Sequence, residues 1–167
     1  MALQSMTALA SITLQEASAS VSFSGIPQNY RDLIIVVSSK VVASESTIGT
    51  RFNGDTGSNY SRVRAGGDGS NISSVSATGT TIISGLLTTA RMTTQEGFTA
   101  IINVFDYSST DKFKSVLSRS GNGNNGVEFL AATWQNNLTI NSVTIHTISG
   151  GSEFAAGSTF NLYGRIS

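Results

Sequence analysis

Residues 97–107 read GFTAIINVFDY. In an extended chain Phe98, Ala100, Ile102 and Val104 fall on one side, with Ile101 and Phe105 on the other. That two-residue period predicts a strand with one face in a core. The same period recurs in both directions along the chain, and no helical period of 3.6 competes with it. Upstream, Ile12 and Leu14 share a face, as do Val21 and Phe23, and the run from Leu33 to Val37 suits a strand buried on both sides. Residues 80–87, TTIISGLL, give a weaker strand signal. Downstream, KFKSVLSRS (112–120) sets Phe113 between Lys112 and Lys114, as on a half-buried strand. VEFLAATW (127–134) carries Val127, Phe129 and Ala131; then come Leu138 and Ile140, Val143 and Ile145, and finally Phe160 and Leu162.

Between these runs stand SGIPQNY, NGDTGSN, AGGDGSN, SGNGNNG, WQNN and SGGSE, all rich in residues that turn the chain. The single proline, Pro27, falls in one of them. Eight or more short strands so punctuated predict an all-β protein, an antiparallel β-sandwich that is jelly-roll-like. Residues 45–50 leave room for one helical turn without a convincing cap. At 167 residues the chain has the size of one domain. It reads as an N-terminal arm, residues 1–10, followed by a single sandwich, residues 11–167.

Composition narrows the function classes. Lys+Arg and Asp+Glu number 10 each and charged residues make up 12%, so no basic footprint for nucleic acid or an anionic membrane is visible. There is no cysteine, which removes disulfides and thiolate metal sites. No apolar run approaches the ~20 residues of a membrane-spanning helix. The first residues lack a basic start and a continuous apolar stretch, so the chain is expected to act without export through a signal peptide.

Candidate chemistry is sparse. Asn53, Asp55 and Asn59 offer oxygen ligands at short spacing, yet no downstream Glu completes a calcium loop, and NGDTG supplies the glycines of a turn. Asp68 in GGDGSN reads the same way. His146, the one histidine, is expected to face solvent or a partner; neither a G-x-S-x-G elbow nor a zinc ligand set accompanies it. The ten acids single out no glycosidase pair, and SGNGNNG lacks the Lys and Ser/Thr of a phosphate loop. Trp134 reads as a core residue with its N–H satisfied, against a sugar-stacking platform as the other reading. No catalytic, cofactor or metal residue is therefore assigned.

Three segments carry a resemblance. ASITLQEASASVSFSGIPQNYRDLIIVVSSK (10–40) presents Ile26, Pro27, Tyr30, Asp32 and Leu33 in an IP–Y–DL pattern. RFNGDTGSNY (51–60) presents Arg51, Phe52, Asn53, Gly54, Asp55, Asn59 and Tyr60, and AGSTFNLYGRIS (156–167) presents Gly157, Thr159, Phe160, Leu162, Tyr163 and Gly164. Together they resemble a family of small virion structural proteins of tailed bacteriophages, found as capsid decoration proteins or within fibres and spikes. The resemblance implies a structural turn motif at residues 51–60, no catalytic residue and no cofactor. It implies a capsid decoration (cement) protein on the virion surface, made in the host cytoplasm, with the major capsid protein as partner. The alternative it leaves is a receptor-binding fibre or tail-tip protein that recognises host surface glycans. A homotrimer is expected, with Met1, Leu3, Met6 and Leu9 of the arm as apolar assembly contacts. Residues 72–91 match no segment of the family.

Overall fold

The structure is a computed structural model and describes residues 5–85, 91–124, 126–148 and 151–166. Its strands are β1 (Met6–Thr13), β2 (Ser20–Ser24), β3 (Asp32–Ser39), β4 (Ile48–Phe52), β5 (Tyr60–Gly67) and β6 (Ile72–Thr80). They continue with β7 (Ile83–Ser84), β8 (Phe98–Phe105), β9 (Lys114–Asn122), β10 (Val127–Trp134), β11 (Ser142–Thr147) and β12 (Thr159–Arg165). An eight-stranded sheet runs β1-β12-β3-β8-β9-β10-β5-β6, and a four-stranded sheet runs β2-β11-β4-β7. Every pairing is antiparallel. The two sheets pack as a β-sandwich, as the alternation predicts. The contiguous strands β1-β12-β3-β8 against β2-β11-β4-β7 have the strand order of an eight-stranded jelly roll, and β9-β10-β5-β6 extend the larger sheet beyond β8. No described residue is helical; residues 45–50 lead through a bridge from Ser46 to Met92 into β4.

The core lies between the sheets. Leu33, Ile35, Val37, Phe98, Ala100, Ile102, Val104, Phe160 and Leu162 from the large sheet meet Val21, Phe23, Ile48, Phe52, Val143 and Ile145 from the small one. Each fully buried side chain of this size contributes roughly 1.5–3 kcal/mol, so the inward phase of each strand is strongly held. Arg62 and Arg64 of β5 close the open side, their Nη1 atoms donating to the carbonyls of Ile82 and Ser84.

Two strands take the phase opposite to the expected one. β10 turns Glu128, Leu130, Ala132 and Trp134 inward and leaves Val127 and Phe129 exposed. β9 buries Lys114 and Val116 and exposes Leu117, with Phe113 exposed just before it. Trp134 pairs with Tyr60 across one ladder and with Lys114 across the other, so burying the indole sets the phase of both strands. A slip of one residue would reverse every side chain. Lys114 Nζ is accommodated by the carbonyls of Lys112 at 3.0 Å and Asn137 at 3.5 Å, and burial pushes its pKa down.

The residues expected as an arm, 1–10, overlap the first strand. Met6–Thr13 form β1, paired with β12 along its length apart from a bulge between Ala8 and Ala10, so part of the supposed arm belongs to the sheet. At the same end of the sandwich, residues of the first and third resembling segments interlock. Asp32 is buried, receives both Nε and Nη2 of Arg165, and accepts the Asp106 N–H at 2.9 Å. The Tyr30 ring lies flat against Gly164, where a Cβ would overlap it. Gly164→Ala is expected to cost ~2 kcal/mol in urea unfolding, because the blocking atoms belong to the ring's base and body rather than to a mobile tip. Adding Tyr30→Ala should make the second change cheaper than it is alone, which a double-mutant cycle would measure.

Candidate functional site

The segment 51–60 is built from a turn upward. The amide of Asp55 donates to the Phe52 carbonyl at 2.9 Å, with φ of 51° at Asn53 and 67° at Gly54, the two left-handed residues of a type I′ turn. Asparagine and glycine are the residues that tolerate this backbone. The Asn53 side chain then ties the turn to residues 139–142. Its Nδ2 donates to the Thr139 carbonyl at 2.7 Å, and its Oδ1 accepts the amides of Asn141 at 2.9 Å and Ser142 at 3.1 Å.

Asp55 is the second hub. Oδ1 accepts the Gly57 amide at 2.8 Å, while Oδ2 accepts Asn59 Nδ2 at 2.9 Å and Trp134 Nε1 at 2.7 Å. Burial opposes its ionisation, but the bonds from Asn59, Trp134, Gly57 and Asn136 prevail and hold the carboxyl below its ordinary range. Tyr60 donates its hydroxyl to the Asp55 carbonyl and accepts the Phe52 amide, each at 3.2 Å. Desolvation pushes that phenol up to about 12, so it stays protonated as this donor. Phe52, Tyr60 and Trp134 pack as an aromatic trio, with centroids 5.6 Å apart for Phe52–Trp134 and 6.4 Å for the stacked Tyr60–Trp134 pair. Trp134 is fully buried, so its ring is a core anchor and not a sugar platform. Asp68 likewise shapes its turn, accepting the amides of Ser70 at 3.0 Å and Asn71 at 2.7 Å.

The other expected positions are scattered. Met1 and Leu3 lie outside the described residues. Met6 is exposed at the edge strand β1, whereas Leu9, at the bulge, packs against the core. His146 does not face open solvent: its Nε2 is buried with no hydrogen-bond partner among the described residues. Burial and, secondarily, the charge of Arg51 push its pKa down. No group of three or more His, Cys, Asp or Glu among the described residues is placed to hold a metal ion.

The largest unassigned feature is the outer face of the eight-stranded sheet. β9, β10, β5 and β6 expose Leu117, Phe129, Val127, Val63 and Ile72 there, and Phe129 is 65% accessible. Three adjoining open hollows of about 860, 570 and 440 Å³ lie between these ridges. Val127 and Phe129 form an apolar face of their strand in the sequence, and the structure leaves this face without cover among the described residues. A scan against family models, a search of curated proteins and a search of solved structures each find no match to the chain.

Proposed function

We propose that the protein is a non-enzymatic structural protein of a tailed-phage virion, a decoration (cement) protein that binds and stabilises the capsid exterior as a homotrimer. One observation carries this reading. The side chains that bear the resemblance are spent on holding the sandwich: Asn53 and Asp55 on turns and loops, Tyr60 and Phe52 on the aromatic trio, Asp32, Tyr30 and Gly164 on the joined ends of β3 and β12. A signature made of scaffold residues supports a protein whose product is a shaped surface rather than a reaction. Burial of Trp134 removes the one candidate sugar platform and so favours the capsid over a glycan receptor.

The trimer follows from placement. Tailed-phage capsids present threefold and quasi-threefold positions, and a symmetric cap there engages several coat subunits with the avidity of linked weak contacts. The test is to mix the purified chain with capsids lacking it, measure co-sedimentation and image the particles. Saturable binding with density on the capsid exterior is the expected result. Labelling of the tail tip, together with blocked adsorption to cells by the free protein, would replace this reading with the receptor-binding one.

A further inference from the structure

We infer that the outer face of the eight-stranded sheet is the docking footprint, and that it takes a protein ridge whose apolar side chains flank a carboxylate that pairs with Arg119. The inference rests on the capsid reading and names the chemistry of its contact. Arg119 sits in the middle of β9, directly across from Ile101 on β8 and Phe129 on β10. It is exposed and makes no ion pair among the described residues. The register places Asn103, Leu117, Ala131 and Val63 in the next row of the same face. No carboxylate faces outward from β8, β9, β10 or β5. An unpaired arginine ringed by aromatic and aliphatic side chains is the composition of an interface centre, not of a solvated surface.

Size agrees. The six strands from β3 to β6 are spaced by ~4.8 Å and run for ~7 residues at ~3.3 Å each, a flat area of roughly 600 Å². Side-chain relief brings this near the ~800 Å² that one partner contributes to a standard interface. Charge disfavours an isologous occupant, a second copy seated face to face. A second copy docked face to face about a twofold axis through this patch would bring two Arg119 guanidinium groups together with no carboxylate on either face to offset them. A partner of opposite charge relieves that cost and satisfies the guanidinium with a paired, desolvated carboxylate.

The experiment compares the full chain with Phe129→Glu, Arg119→Glu, Arg119→Lys and, as a control on exposed apolar surface elsewhere, Val42→Glu. Far-ultraviolet circular dichroism and melting confirm that each variant folds, as expected for side chains that point to solvent. Capsid co-sedimentation should weaken at least 100-fold for Phe129→Glu and Arg119→Glu, about 10-fold for Arg119→Lys, which keeps the charge but loses the fork, and less than twofold for Val42→Glu. If the wild-type chain binds capsids and folded Phe129→Glu and Arg119→Glu bind equally well, the footprint is elsewhere while the decoration reading stands. If the wild-type chain does not bind capsids, that reading fails, and this one with it. Light scattering supplies the remaining outcome: a wild-type oligomer that Phe129→Glu dissociates and Val42→Glu does not would assign the face to a second copy and overturn the inference.

Discussion

Asp55→Ala is expected to lower the unfolding free energy by about 4 kcal/mol, as read from urea denaturation at neutral pH. The carboxylate accepts the Gly57 amide and the side-chain N–H groups of Asn59 and Trp134, and hydrogen bonds to a charged acceptor contribute about 1.5–3 kcal/mol each before overlap between them is discounted. Among the described residues the fully buried indole N–H has no other partner, so the variant strands it. The pH dependence has a definite sign. Although burial alone would raise it, the folded-state pKa of Asp55 lies below 3.8, held down by its donors. Its stabilisation is therefore complete above the unfolded value and is lost as pH falls through the lower folded one. The gap between wild type and Asp55→Ala should hold from pH 7 to about pH 5 and shrink below about pH 4. A gap that stays constant down to pH 2 would show that the neutral acid serves equally well and that charge is not the source.

Asn53→Ala should cost about 3 kcal/mol in the same assay. Roughly 1 kcal/mol comes from forcing a residue with a Cβ, and no compensating side-chain bond, into the left-handed backbone seen at φ 51°. The rest comes from three side-chain bonds that link the turn to residues 139–142, discounted because the Asn141 amide can reach water. Asn53→Asp keeps the backbone tolerance and the acceptor for Asn141 and Ser142 but sets an oxygen against the Thr139 carbonyl. It should lie between wild type and Asn53→Ala. Equal stability of Asn53→Asp and Asn53→Ala would mean that the acceptor bonds contribute nothing.

Both predictions concern residues that stand out in the chain as turn formers, but their reach does not. NGDTG reads as a sharp turn because Asn and Gly supply positive φ within four residues, a local property. That Asp55 holds Trp134, 79 positions away, and that Asn53 holds Asn141, 88 positions away, depends on β10 and β11 being carried to that end of the sandwich. Nothing in residues 50–64 encodes those partners. Tyr30 on Gly164 is of the same kind: each lies in a segment that carries the resemblance, and only the pairing of β12 with β3 brings them together.

By itself the sequence determined that the protein is all-β, where most turns fall, and which face of β2, β8, β11 and β12 is buried. On those strands one phase is more apolar than the other, as Phe98, Ala100, Ile102 and Val104 are against Thr99, Ile101, Asn103 and Phe105. β3, apolar in both phases and expected to be buried on both sides, buries Leu33, Ile35 and Val37 and leaves Ile34 and Val36 half-buried. β6, ISSVSATGT, was illegible because its serines give neither phase an advantage. Only tertiary structure decided β9 and β10. In VEFLAATW both phases are apolar, Val127, Phe129 and Ala131 against Leu130, Ala132 and Trp134, so the two-residue period leaves them nearly level. Burial of the indole against Phe52 and Tyr60, with its N–H on Asp55, tips the balance, and the ladder then carries that choice into β9. Placing Trp134 inside obliges Phe129 and Arg119 to face out, which is why the uncovered face appears only once the strands are assembled.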